Sequence, residues 1–488
     1  MTSAKVNFLY NAAYQAMTLI LPLATAPYLS RVLGAEGLGV YSYTYSIAYY
    51  FVLIALLGVN SYGNRSIAAV RDDPEKMSRT FCGIYALQLT LAVASFAIYC
   101  GYVALFAEFQ AASLAWGLYV LSAGLDVNWL FFGLERFKVT VTRNFIVKLT
   151  TFCLMFVVVR GENALMAYLV LISTSMLVSV GVLWPFVCRT VTFVRPTLSE
   201  VLAHVKPNLV LFIPVVATSL YTVMDKVMLG SMSTMEQSGF FENSVKVAGM
   251  PFTLIEALGT VMLPRASNLF ATGHRDQVVH TMATSTWFAL WLSAALMFGL
   301  MAVAPEFTPV FFGAGYEPCA LIMAIIVADM PFLAWANVVR TQWLIPARHD
   351  RAYAVAVICG AASNIALNFV LIPPYGAVGA AISLLVAEAV VSVVQTLFVV
   401  RELPVLTWLR GGISSCVMGA LMFVIVRACV GVLPGGWVGL VLEILVGVMS
   451  FAALSAVWLR LTGNVYAREL FGSMKGMLAG KLSCLRRR

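Results

Sequence analysis

Glu242, Lys246, Gly249, Thr253, Glu256 and Thr260 recur at alternating steps of four and three, which places them on one face of a helix. The surrounding stretch is otherwise apolar. A charge at the centre of a membrane helix costs about 2.5–3.5 kcal/mol on insertion scales, so such a stripe is expected to face a hydrated cavity. The competing reading is a packed helix whose charges pair with its neighbours. Glu242 and Lys246 form an i, i+4 pair in the favourable order and can neutralise each other. Lys246, Arg340 and Lys148 are cations suited to phosphate oxygens, Arg by a two-pronged fork and Lys as a point charge. Asp126, Asp225, Lys226, Asp329 and Glu388 are further charges inside or at the edge of apolar stretches, and each of them serves equally well as half of a structural ion pair.

Other chemistry finds little support. No Ser-His-Asp set, P-loop or aspartate-rich nucleotide-sugar motif occurs. The nine cysteines are scattered without a CxxC and read as buried single thiols. The four histidines (His204, His274, His280, His349) have no partner at ligand spacing, so no metal site and no bound cofactor are expected.

The elements that must position these residues follow from composition. The chain has 488 residues, 61% hydrophobic and 11% charged, with mean hydropathy +0.90, too little polar surface to cover a soluble globule. The expectation is an all-α integral membrane protein. Apolar runs give about fourteen transmembrane helices, at 7–28, 38–60, 81–106, 114–133, 145–159, 164–186, 209–229, 240–263, 281–303, 320–344, 352–372, 376–399, 411–433 and 437–459. The run 7–28 lacks a cleavage pattern and reads as a retained first span. Of the 31 basic residues, 26 fall on the side of the N-terminus, with Arg136, Lys138, Arg143 and Lys148 together in one connection. By the positive-inside rule both termini are cytoplasmic. The +9 net charge is thus a topology signal, with no soluble basic domain to bind nucleic acid. Connections are short, which argues against a membrane enzyme with a large catalytic loop. Thr197 and Glu200 form a capping-box pattern ahead of Val201, Leu202 and Val205, so 188–208 is read as a linker containing an interfacial helix.

A repeat links the two halves. At an offset of 200 residues, 40–69 lies over 240–269, with Ile47-Ala48 on Val247-Ala248 and Arg65 on Arg265. Such an echo suggests two similar bundles built by duplication, an arrangement used by transporters. Ser42 and Ser46 then occupy the places of Glu242 and Lys246, amid Tyr41, Tyr43, Tyr45, Tyr49 and Tyr50. Those tyrosines are either an interfacial belt or a surface of rings and hydroxyls suited to sugars, with Ser46 and Tyr49 as contacts.

The segment Asp126-Val127-Asn128-Trp129-Leu130-Phe131-Phe132-Gly133-Leu134-Glu135 resembles the D-x-x-W-F-F-x-G-x-E segment of bacterial polysaccharide repeat-unit flippases. Met224-Asp225-Lys226-Val227-Met228-Leu229-Gly230 followed by Gly239-Phe240-Phe241-Glu242-Asn243 is similar to the same family, as are Val261-Met262-Leu263-Pro264-Arg265 and Asn364-Ile365-Ala366-Leu367-Asn368. The resemblance implies the multidrug/oligosaccharidyl-lipid/polysaccharide exporter superfamily. It implies two pseudo-two-fold-related six-helix lobes, 1–187 and 209–400, two additional helices within 401–462, and a basic cytoplasmic tail, 463–488. The implied activity moves an undecaprenyl-diphosphate-linked oligosaccharide from the inner to the outer leaflet of the bacterial plasma membrane, for O-antigen or capsule synthesis beside glycosyltransferases and a polymerase. Lipid II flippases of the superfamily carry cavity-facing arginines in the first span. Here 7–28 has none, which favours a surface-polysaccharide substrate.

On that reading Lys246, with Lys148 and Arg340 as access contacts, would hold the diphosphate, Glu242 would stand beside it, and Ser46 and Tyr49 would meet the sugars. Asp126, Asp225, Lys226 and Glu256 would serve gating or ion coupling, with H+, Na+ or the membrane potential as the driving force. Asp126 and Trp129 are expected to share a helix face, with Asp126 paired to Lys148. The alternatives are another exporter of the superfamily, handling lipid II or drugs, and a membrane-embedded polymerase or glycosyltransferase.

Overall fold

A computed structural model describes the backbone of residues 2–463, with side chains from Leu21 onward except Phe137 and Pro214. Residues 464–488, most of the expected basic tail, lie outside the described residues. Every regular element among the described residues is helical. In chain order these are α1 (Thr2–Leu56), α2 (Val59–Val70), α3 (Pro74–Leu105), α4 (Gln110–Leu125), α5 (Asn128–Gly133), α6 (Phe137–Val158), α7 (Ala164–Gly181), α8 (Trp184–Thr190), α9 (Leu198–Ala203) and α10 (Val205–Thr222). They are followed by α11 (Met224–Met232), α12 (Met235–Ala271), α13 (Arg275–Phe311), α14 (Pro318–Val327), α15 (Met330–Val339), α16 (Asp350–Tyr375), α17 (Ala377–Val399), α18 (Val405–Cys429) and α19 (Gly436–Thr462).

Among the described residues, thirteen stretches are long and apolar enough to cross a membrane. The difference from fourteen lies in the first two spans, which merge in α1. Its 55 residues would run ~80 Å if straight, far more than the ~30 Å of a hydrocarbon core. The run breaks at Gly34, whose φ of 67° and ψ of 176° leave the helical region at a residue without a Cβ. The chain is a multi-pass, all-α membrane protein, as its composition requires. With no water to satisfy exposed backbone groups in lipid, helices are the form an apolar chain of this length can take there.

The fifth span begins earlier than its apolar run. Its helix starts at Phe137 and takes in Lys138, Arg143 and Lys148, because a helix boundary follows backbone hydrogen bonding and not hydropathy. The linker capping box is present: Thr197 Oγ1 accepts from Glu200 N at 3.4 Å and Glu200 Oε2 from Thr197 N at 2.7 Å. Leu198 and Leu202 are exposed.

The contacts divide into two units, residues 1–242 and 243–488. In the first, α1 packs on α3, α4, α6, α7 and α11. One core surrounds Trp116, and a second joins Phe81, Trp129, Phe131 and Ile67. In the second unit α16 and α17 form a close pair, and α13 packs on α14, α15, α18 and α19. Small residues Ala356, Gly360, Ala361, Ala380 and Ala387 line the α16 and α17 cores, where close backbone approach substitutes for the hydrophobic drive that lipid does not supply.

Candidate functional site

The repeat offset reappears as a physical contact. Ser42 Oγ donates to Glu242 Oε2 at 2.8 Å, across a separation of 200 residues. Two glycines flank this bond reciprocally: a Cβ on Gly39 would lie 1.7 Å from the Met235 carbonyl oxygen, and a Cβ on Gly239 would lie 1.8 Å from that of Ala35. Positions 35, 39 and 42 thus meet 239, 235 and 242: Ala35 meets the counterpart of Gly39, Gly39 meets the counterpart of Ala35, and Ser42 meets its own counterpart. That is the signature of a local two-fold axis between α1 and the start of α12. Extending the 200-residue offset one position upstream pairs Gly39 with Gly239 in the sequence itself, but only the fold shows that they set the helix separation.

Glu242 is 4% exposed and lies 2.7 Å from Lys226 Nζ. A cation for this carboxylate therefore comes from α11, in addition to the i, i+4 neighbour Lys246 that the sequence spacing offers on its own helix. A buried carboxylate needs a cation and hydrogen-bond donors together, and Lys226 and Ser42 supply both. Lys246 is half-buried one turn further along α12 and makes contacts of its own. Asp225 is buried beside this cluster, within electrostatic reach of Tyr50, whose hydroxyl donates to the Ser219 carbonyl at 3.0 Å.

The tyrosines of the second span pack as a slab. Tyr41, Tyr45 and Tyr49 follow one another at i, i+4, with ring centroids 6.0 and 6.4 Å apart. Trp116 and Tyr119 of α4 lie 5.1 and 5.6 Å from Tyr45. Tyr49 is half-buried at the end of the slab. Ser46 is fully buried and donates to the Ser42 carbonyl at 2.7 Å, so its hydroxyl serves its own helix.

Asp126 departs from expectation. It ends α4 in an extended conformation (ψ 104°), so Asp126 and Trp129 do not share a continuous helix face. The cause is local: Asp126 Oδ1 accepts from Asn128 N at 3.0 Å and Asn128 Nδ2 at 2.6 Å, an aspartate turn that competes with helix continuation. Gln88 repairs the break, donating to the carbonyls of Ala123 and Asp126 at 2.7 and 2.8 Å while accepting from Trp129 Nε1 at 3.0 Å. The Trp129 ring fits only because residue 63 is glycine, where a Cβ would stand 2.5 Å from it. The cation near Asp126 is Arg143 and not Lys148. Arg143, assigned to a loop by the charge count, is buried in α6 and donates to Asn128 Oδ1 at 3.0 Å and the Ser179 carbonyl at 2.8 Å. Lys148 is exposed on the same helix. Hydropathy alone cannot distinguish a basic residue in a loop from one whose fork is satisfied inside the bundle.

In the second unit Arg340 opens a π-helical stretch, Arg340–Leu344, a bulge common at functional sites. Its guanidinium donates to Asn337 Oδ1 at 3.0 Å, and Asn337 Nδ2 donates to the Ile255 carbonyl of α12 at 2.8 Å. Asn337 thereby fixes Arg340 against the helix that carries Glu256, which is exposed. Both Arg340 and Glu256 lie within electrostatic reach of Glu388. The sequence places Arg340 and Glu256 far apart and offers no sign of Asn337.

Residues 4–270 match a family described as "Polysaccharide biosynthesis protein". The chain is 25% identical over 405 residues to a protein of Escherichia coli (strain K12) named "Putative O-antigen transporter", covering 81% of this chain and 97% of that one. Its fold is similar to that of a structure titled "Lipid II flippase MurJ, inward closed conformation", with TM-score 0.75 at 13% identity, covering 94% of this chain and all of that one (100%). It is also similar to an inward-facing multidrug resistance MATE family transporter of the MOP superfamily, with TM-score 0.59 at 16% identity over 80% of this chain and 95% of that one. A match across more than half of the chain, together with this fold, makes the protein a member of the polysaccharide biosynthesis protein family.

Proposed function

We propose that the protein is a flippase that moves an undecaprenyl-diphosphate-linked oligosaccharide from the inner to the outer leaflet of the bacterial plasma membrane, with both termini cytoplasmic. The observation that carries this reading is the intramembrane charge set on α11 and α12, Lys226, Glu242, Lys246 and Glu256. A helix pays several kcal/mol to keep such groups in a bilayer, and a polar cargo gives them a use beyond the Lys226–Glu242 ion pair. Similarity across 81% of this chain to a protein named "Putative O-antigen transporter" supports the same substrate class, and among the described residues no large loop is available for sugar-transfer chemistry.

On this reading the halves 1–187 and 209–400 are two six-helix lobes that rock to expose a central space alternately to each side, with 188–208 as the tether and 401–462 as accessory helices. The lipid tail stays in the bilayer while Lys246 meets the diphosphate, with Arg340 and Lys148 along its path and Tyr49 toward the sugars. With the interior negative, exporting about two negative charges gains ~2.3 kcal/mol per charge per 100 mV, enough to bias the step without ATP. A coupled H+ or Na+ would act through Asp126, Asp225, Glu242 or Glu256, and glycosyltransferases and a polymerase would supply and consume the cargo. The test is Lys246→Ala in cells that depend on this gene: surface polysaccharide should disappear while the protein still reaches the membrane. Normal polysaccharide in that strain overturns the phosphate role of Lys246.

A further inference from the structure

A basic cleft lies within the first unit, between α2 and the start of α10. Tyr62, Arg65 and Ser66 recur at i, i+3 and i+4 on α2, and with Lys206, Val210 and Leu211 at the start of α10 they line a cleft of about 520 Å³. The cleft is a built feature. Tyr62 Oη lies 2.8 Å from His204 Nδ1, tying α2 to the junction of α9 and α10. Gly58, in the left-handed region at φ 78°, brings α2 so close to α10 that a Cβ there would lie 2.9 Å from the Asn208 carbonyl oxygen.

Charge balance singles the cleft out. The neighbouring basic residues have carboxylate partners: Arg71 holds Glu135 at 2.7 Å, Arg79 holds Glu200 at 2.7 Å and Lys76 holds Asp73 at 3.2 Å. No carboxylate lines the cleft, and among the described residues neither Arg65 nor Lys206 makes an ion pair. Two cations without a carboxylate partner among the described residues, with the Ser66 hydroxyl and the Tyr62 ring lining the same cleft, form a site for an oxyanion. The other wall is apolar, and Val210 is exposed. A free phosphate has no use for that wall, whereas a phosphate carried on a lipid chain does.

We infer that Arg65 and Lys206 form a docking site for the phosphate of a lipid-borne headgroup, where the cargo waits at the basic face of the membrane before it reaches the α12 stripe. The inference rests on the reading that the cargo is a lipid diphosphate. An anionic phospholipid offers similar chemistry, so the test separates the two sources. Purified full-length protein is titrated by native mass spectrometry with undecaprenyl diphosphate and, separately, with phosphatidylglycerol. Wild type should prefer undecaprenyl diphosphate, and Arg65→Ala with Lys206→Ala should weaken that binding about tenfold or more, since each charge-assisted contact is among the stronger hydrogen bonds. Arg65→Lys with Lys206→Arg, which keeps both charges, should restore most of it. Both side chains are exposed and make no ion pair among the described residues, so the alanine variant keeps its fold. Unchanged binding in that variant overturns the site while leaving the flippase reading intact, and equal loss of phosphatidylglycerol binding with no wild-type preference overturns the carrier assignment. Failure of wild type to bind undecaprenyl diphosphate at all overturns both.

Discussion

The reciprocal glycine contact makes a prediction about additivity. A Cβ on Gly39 would sit 1.7 Å from the Met235 carbonyl oxygen, and ordinary contact begins at 3.4 Å. Gly39→Ala therefore requires the backbones of α1 and α12 to part by about 1.7 Å at that point, since neither atom belongs to a flexible side chain. Overpacking typically costs ~1–3 kcal/mol, and a backbone clash belongs at the upper end of that range. Gly239→Ala strikes the same helix pair at the symmetry-related position, 1.8 Å from the Ala35 carbonyl oxygen. One separation of the helices relieves both clashes. The double variant should thus be only slightly less stable than either single one, with an interaction free energy of ~1–3 kcal/mol in the opposite sense to the single losses. Thermal or SDS-induced unfolding of the four purified proteins in one detergent measures the cycle. Additive losses would mean that the two glycines act independently and would refute the shared axis. Singles indistinguishable from wild type would mean that the helices do not approach this closely.

Glu242→Gln should destabilise the protein by ~3–5 kcal/mol, because it leaves Lys226 partly buried without its counter-charge, and Glu242→Gln combined with Lys226→Met should recover most of the loss in the same unfolding assay. Gln88→Leu should cost ~1–3 kcal/mol by stranding the carbonyls of Ala123 and Asp126 and the Trp129 indole N–H, and a shift in Trp fluorescence should accompany it. Asp126→Asn keeps an acceptor for the Asn128 amide and should be tolerated far better than Asp126→Ala, a difference readable as protein yield and melting temperature. Thr197→Ala removes the capping box of the linker helix and should cost ~1 kcal/mol, detectable as faster amide exchange over 198–203 with the transmembrane helices unchanged.

Several of these features are legible in the amino-acid order alone. Membrane insertion, the span positions, the all-helical class and the capping box at Thr197 depend on local composition or on residues three and four apart, which the chain carries without reference to its fold. The 200-residue echo is of the same kind. Partnership between distant side chains is not. Glu242 has a lysine four residues along its own helix, and nothing in the spacing foretells that Lys226 of another helix lies 2.7 Å from it. Asp126 has Lys148 at similar depth, yet the nearby guanidinium is that of Arg143, which the charge count had placed in water. Hydropathy reports the average cost of placing a residue in lipid, and a buried charge is stabilised one atom at a time by whatever the tertiary packing brings to it. The packing also decided the functions of glycines. Gly39, Gly63 and Gly239 look interchangeable in the sequence, and each is required because a particular backbone or ring from elsewhere in the first unit occupies the space where a Cβ would stand.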